Sequence, residues 1–338
     1  MPAVGKERCP ATIIFLAPNH LLCGAGRAYS RGIPAHRRQR TPLRGTGMTH
    51  SNVTFIGLGQ MGAALVPPFI QAGLQVTVWN RSIAKAEPLE AMGATAQANI
   101  ADAINASDLI IVCLSDYASS NALLLQAQIT PLLKGKTLVQ FTTGDARQAQ
   151  AGAQWAEEIG LNYLDGAIMD YPTKVGRPEC MLLVSGPEAV WNSCANEMRL
   201  LGGRMTYVGA KPGSANVLDG SLLTMYYGNT FALMQSAAML QAEQVDIKDF
   251  ATALQAFKPV IESTWKRTIE AIDQQNYAGQ EASIYVHSLG VQSLLERAKN
   301  AGVEHGLLAL FSGYVDRALS NGHGADELPA AYEVFRPQ

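Results

Sequence analysis

The sequence predicts an α/β fold: a doubly wound sheet domain, then one long helix, then an all-α domain exchanged between two copies of the chain. Three observations predict it. Short apolar strands alternate with helical stretches from Asn52 onward, the alternation stops near Val208, and a helix of unusual length and apolarity follows. The strands are NVTFIG, QVTVW, DLIIVCL, TLVQFT, NYLDGAIM and MLLVSG, with helical periodicity between them at 63–72, 83–92 and 145–159. Continuous apolar strands separated by helices specify a parallel sheet covered on both faces. The chain therefore divides into a leader over 1–47, a sheet domain over 48–212, and the long helix with an all-α domain over 213–338.

The leader stands apart by charge. It carries eight Lys/Arg and one acid, whereas the remainder carries 18 against 27. A transit-like presequence would be Arg-rich and acid-poor; the simpler reading is an unstructured extension ahead of Met48 as the working start. Across the whole chain the net charge is −2, which argues against a nucleic-acid or anionic-membrane partner. Only 16% of residues are charged while 48% are apolar, so much surface must be hidden in a large core and a subunit interface. The five cysteines are odd in number and lack metal-ligand spacing, as expected for a reduced, cytoplasmic chain with no metal site. The long apolar helix is too rich in Gly, Asn, Gln and Ser to sit in lipid, and no membrane span is expected.

The stretch FIGLGQMGAAL sets Gly57, Gly59 and Gly62 in G-x-G-x-x-G spacing, directly after a strand and at the opening of a helix. The first glycine makes the tight turn, the second lets pyrophosphate approach the backbone, and the third seats helix on strand. Leu58, Gln60 and Met61 complete the cofactor-binding turn of this Rossmann unit. An NAD site would place Asp or Glu about twenty residues on, to hold the ribose hydroxyls. This chain ends that strand with VWNRS, so Asn80, Arg81 and Ser82 occupy the place. Arginine tolerates a 2′-phosphate that a carboxylate would repel, Ser82 is a candidate helix cap, and Lys85 adds charge. The expected cofactor is NADPH. The plain alternative makes Arg81 and Lys85 ordinary surface residues.

From Gly213 to Ala242 the chain reads GSANVLDGSLLTMYYGNTFALMQSAAMLQA, with one charge, Asp219. A helix over 215–243 would be about 43 Å long, beyond the roughly 8–20 residues of ordinary globular helices. Apolar on every side, it must be buried on every side. A single small domain does not surround it, so a second copy of the chain is expected to wrap it, and Gly220 and Gly228 would allow close helix approach. Asp219 reads either as a first-turn acid complementing the helix dipole or as a functional carboxylate.

Several of these motifs together resemble the β-hydroxyacid dehydrogenase superfamily and, within it, the imine reductases and reductive aminases. The resemblance covers about 52–330 and rests on GLGQMG, VTVWNRS, SDLIIVCLSDY, LDGAIMDYPTKVGRP, LLVSG, GSANVLDGSLLTMYYG and NGHGADEL. It implies that hydroxyacid dehydrogenases carry a lysine where this chain has Asp219, followed by paired asparagines where this chain has GSLLT. Reducing C=O builds negative charge that a cation stabilises. Reducing C=N passes through a cation that lysine would repel and a carboxylate attract. The resemblance gives the catalytic pair as Asp219 and Tyr227. On an ideal helix these lie about 80° and roughly 12 Å apart. Tyr226 falls nearer the face of Asp219, and which tyrosine faces the site stays open.

Thr143 follows the fifth strand, where the sheet meets its cofactor crevice, and reads equally as a nicotinamide-side contact or as strand-end filler; Leu114 and Ser115 are further expected cofactor contacts. Reductive aminases usually carry asparagine in the place of Thr143, a departure that bears on amine coupling. Candidate substrate-facing residues are Asp170, where relatives prefer a small residue and which reads equally as an exposed turn acid, Tyr226, and His287, a type more often found as a core residue on an apolar helix. The expected function is NADPH-dependent reduction of imines, with a carbonyl plus an amine as a second substrate class, by a homodimer. The rivals are an NADP-dependent dehydrogenase of small 3-hydroxy acids and a non-catalytic NADP-binding regulator.

Overall fold

A computed structural model describes residues 49–279 and 281–337; the leader expected over 1–47 lies outside the described residues. The strands are β1 (Asn52–Ile56), β2 (Gln75–Trp79), β3 (Thr95–Ala96), β4 (Leu109–Val112), β5 (Thr137–Gln140), β6 (Asn162–Ile168), β7 (Met181–Ser185) and β8 (Arg204–Tyr207). Helices α1 (Gln60–Leu65), α2 (Pro67–Gln71), α3 (Glu87–Glu90), α4 (Ile100–Asn105), α5 (Tyr117–Leu124), α6 (Ala146–Ile159) and α7 (Glu188–Met198) lie between them. After β8 the chain is helical: α8 (Ser214–Ala242), α9 (Ile247–Gln274), α10 (Ile284–Asn300) and α11 (Gly306–Ser320). The architecture is a Rossmann-like α/β sheet followed by a helical C-terminal part.

The strands form one sheet in the order β3-β2-β1-β4-β5-β6-β7-β8. The order reverses between β1 and β4, and such a switch point opens a crevice beyond the carboxyl ends of the strands. Side chains alternate across the sheet. Val53, Phe55, Ile111 and Val139 enter one core, while Ile56, Ile110, Val112 and Leu138 enter the other. Both faces are covered, as continuous apolar strands require.

Three details correct the sequence reading. The sheet is not wholly parallel, because β6 and β7 pair antiparallel, Asp165 opposite Ser185. The connection between them holds only the 3₁₀ turn Pro172–Lys174, and without a crossover helix the chain returns antiparallel. The helical stretch at 63–72 is two helices, broken at Val66 ahead of Pro67 and Pro68, since a proline ring disfavours continuation of the helix before it. Two strands gave too little pattern to see: β3 has two residues, and β8 is a half-exposed edge whose alternation spans only Met205 and Tyr207.

The long helix is present as α8, at 29 residues. Within this chain only Ala215 and Asn216 of it are buried, and ten of its large apolar side chains stand exposed. Gly220 and Gly228 face open space.

Candidate active site

The glycine turn is shaped by contacts that a side chain would destroy. Gly57 adopts φ +101°, and a Cβ there would collide with the Cys113 carbonyl of β4's end. At Gly62 a Cβ would strike the Gly57 carbonyl, so α1 packs directly on the turn. At Gly59, the N-cap of α1, a Cβ would meet nothing, which leaves room for a ligand to reach the backbone. No acid stands in the first turn of α1 to oppose an anion. Asn80 supports the turn: its Oδ1 accepts from the Leu58 N–H at 3.0 Å and its Nδ2 donates to the Ser82 carbonyl at 3.0 Å.

Beyond β2 lies a cleft of about 420 Å³ walled by Trp79, Asn80, Arg81, Ser82, Lys85, Leu114 and Ser115 among others, with no carboxylate in its lining among the described residues. Arg81, Ser82 and Lys85 are exposed to it. Ser82 precedes the 3₁₀ turn Ile83–Ala86 without a side-chain cap, so its hydroxyl is not spent on the helix. An open glycine turn at a helix N-terminus, followed by two cations and no acid, fits a dinucleotide carrying a 2′-phosphate.

Leu114 also lines a second cleft of about 410 Å³, bounded by Met61, Cys113, Phe141 and Thr143 on one side, Met169, Asp170 and Tyr171 on another, and Asn216, Asp219, Leu223, Tyr226 and Tyr227 from α8. Leu114 is held by its N–H donating to Thr142 Oγ1 at 3.0 Å. Asp219 is half-buried, and burial raises its pKa above the ordinary carboxylate value. Among the described residues no Lys, Arg or His lines this cleft. Tyr226 and Tyr227 both face it, rings edge to face at 5.3 Å between centroids. They differ in engagement: the Tyr226 hydroxyl lies 3.3 Å from that of Tyr171, whereas among the described residues the Tyr227 hydroxyl has no hydrogen-bond partner. That contact raises the pKa of Tyr226.

Comparison with known proteins agrees with this geometry. Residues 52–209 match the NAD binding domain of 6-phosphogluconate dehydrogenase, and residues 211–337 match the C-terminal domain of the NADPH-dependent reductive aminase-like family. An NADPH-dependent reductive aminase of Aspergillus oryzae is 30% identical over 294 residues, covering 84% of this chain and 97% of that protein. The chain belongs to the imine reductase and reductive aminase family. Among solved structures, the imine reductase from Myxococcus stipitatus in complex with NADP+ matches with a TM-score of 0.78 at 33% identity, over 84% of this chain and 100% of that one. The reductive aminase from Aspergillus terreus in complex with NADPH4, cyclohexanone and allyl amine matches with a TM-score of 0.76 at 31% identity, over 85% of this chain and 99% of that one.

For this member of the imine reductase family, the structure brings Asp219, Tyr227, Tyr226, Asp170, Thr143, Met61 and Leu114 together around one cleft. His287 is not among them; it sits with Thr264, Arg267 and Glu327 in a separate pocket of the helical part. Gln60 is exposed at the turn and lines neither cleft. Three groups went unseen in the sequence: Thr142, which holds Leu114; Tyr171, which pairs with Tyr226; and the buried Asp165, bonded to Tyr117, Ser185 and Asn216. An aspartate inside an apolar strand was the available signal, since a buried carboxylate without donors is costly.

Proposed function

We propose that this protein is an NADPH-dependent enzyme that reduces C=N bonds, with imines and carbonyl–amine pairs as its substrate classes. The observation that carries the reading is a carboxylate, Asp219, in a cleft that no basic side chain among the described residues lines, joined through Leu114 to the proposed dinucleotide site. When bound, NADPH supplies the hydride that reduces the C=N carbon. Gly57, Leu58, Gly59, Gln60, Met61 and Gly62 form the turn that would hold its pyrophosphate. Asn80, Arg81, Ser82 and Lys85 would take the adenosine 2′-phosphate, while Leu114, Ser115 and Thr143 would flank the rest. Asp219 holds the cationic nitrogen by opposite charge in a partly dehydrated setting, where the attraction exceeds its value in water. Tyr227 orients the substrate or gives the nitrogen its proton; its free hydroxyl favours it over Tyr226, which is engaged with Tyr171. Asp170 adds a second acid beside the substrate.

A dehydrogenase of hydroxy acids is the weaker reading, because the cleft holds two carboxylates and no cation to meet an acid substrate. The division is a 48–212 NADP-binding domain and a 213–338 dimerisation and substrate domain, exchanged between two copies. The exposed apolar length of α8 supports that pairing. The same exchange would bring His287 to the cleft of the second copy. Free thiols at Cys113, Cys180 and Cys194 suit a reducing cytoplasm.

The test is NADPH consumption with a cyclic imine such as a pyrroline, alongside a ketone with excess amine. Asp219→Asn should lower imine turnover a hundredfold or more while NADPH still binds. Turnover near that of the unaltered enzyme would remove Asp219 from the mechanism.

A further inference from the structure

The start of α8 is tied to the sheet by a buried polar cluster that the reaction itself leaves unused. Asp165 on β6 is 0% exposed and uses both oxygens. Its Oδ1 accepts from the Asn216 side-chain amide at 2.6 Å and from the Tyr117 hydroxyl at 3.1 Å, and its Oδ2 from the Ser185 hydroxyl at 3.1 Å. Ser185 Oγ in turn accepts the backbone N–H of Ala215 at 3.1 Å. The first N–H groups of a helix have no partner within it, so a neighbouring strand caps α8 here. The helix has only two buried residues, Ala215 and Asn216, and both belong to this cluster.

Asn216 precedes Asp219 by three residues, and residues so spaced are neighbours on one helix face. Both line the substrate cleft. We propose that the Asp165–Asn216 pair is a positioning device for Asp219, fixing the depth and rotation of the first turns of α8 so that its carboxylate stands in the cleft. The proposal rests on the reading of Asp219 as the group that holds the substrate nitrogen.

Plain adhesion does not account for the cluster. Apolar side chains of similar volume would hold a helix against a sheet as well or better, whereas a buried carboxylate is expensive and demands directed donors. Burial raises the pKa of Asp165 above the ordinary carboxylate value even against its three side-chain donors. What this costly arrangement adds is direction: four groups on α5, β6, β7 and α8 agree in only one register. The link to Asp219 runs through position: burial raises the pKa of Asp219, and the depth at which α8 starts sets that burial.

The experiment compares Asn216→Ala, Asp165→Asn and the exchanged double variant Asp165→Asn with Asn216→Asp, each as the full-length enzyme. Imine turnover is read as a function of pH, together with KM and NADPH affinity. In both single variants kcat should fall at least tenfold with NADPH affinity within twofold of the unaltered enzyme. The pH-rate limb of Asp219 should move toward the ordinary carboxylate range as the helix start loosens and water reaches it. The exchanged pair restores a carboxylate–amide bond across the same gap and should recover most of the lost kcat. A merely structural role would lower melting temperature and active fraction but leave the limb in place. An unmoved limb, or single variants within twofold in kcat, overturns the proposal. Should Asp219→Asn itself keep full turnover, the assignment of Asp219 falls instead, a distinguishable result.

Discussion

At residue scale, Asp219 works against the fold that holds it. Its folded pKa is raised by burial, so the folded chain keeps that proton longer than the unfolded chain as pH rises. The stability tied to this group is therefore present below the ordinary carboxylate pKa and lost as pH climbs through the raised folded value. Asp219→Asn should accordingly raise the melting temperature at neutral pH while lowering imine turnover a hundredfold or more; a lower melting temperature at neutral pH would contradict the sign. Activity runs the other way. In the proposed mechanism the ionised form attracts the cationic nitrogen, so the rate should drop as pH falls through the raised value, and the residual activity of the Asn variant should lack that limb. Arg81 admits a similar single-residue test. One charge-assisted bond contributes about 1.5–3 kcal/mol, so Arg81→Ala should weaken NADPH binding by roughly ten- to a hundredfold. NADH binding should change little, and equal losses for both cofactors would assign Arg81 to the shared part of the nucleotide.

At the scale of elements, the glycine turn and the first turn of α8 are the two fittings on which the site depends. Gly62→Ala drives a methyl group into the Gly57 carbonyl, so α1 must move off the turn. Overpacking of this kind costs about 1–3 kcal/mol, and NADPH affinity should fall in step, read by fluorescence titration beside thermal melting. The glycine turn was legible in the sequence because its spacing follows a strand and opens a helix. The buried Asp165 cluster was not, because its members lie on four elements between Tyr117 and Asn216 and meet only when the sheet forms. Local pattern likewise hid the antiparallel return at β7. Strand chemistry looks alike in both directions, and only the missing crossover helix marks the difference.

At the scale of the molecule, the exposed length of α8 is the ground for the proposed pairing of two copies. Its exposed side chains include Phe231 and Met234, each 58% exposed in this chain. Burying such a side chain contributes about 1.5–3 kcal/mol, far too much for a row of them to be left to water without reason. Phe231→Glu with Met234→Glu should give a monomer by sedimentation and lower imine turnover, since the cleft would lose its cover. NADPH affinity should fall much less, because the residues proposed to hold it all lie before α8. A double variant that stays dimeric and active would place the subunit interface elsewhere.

By itself the sequence determined the α/β class of the fold, the glycine turn, the cations in place of an acid after β2, and the lone carboxylate opening a long apolar helix. Each is a local pattern, written within a few turns or strands of chain. Tertiary structure alone decided that Asp219 and both tyrosines share a cleft with Met61 and Leu114, that Tyr171 occupies the Tyr226 hydroxyl, and that His287 lies apart in the same chain. Those outcomes depend on how distant elements pack, because a side chain's neighbours across a cleft are chosen by the depth and rotation of a helix, which no short stretch of sequence records.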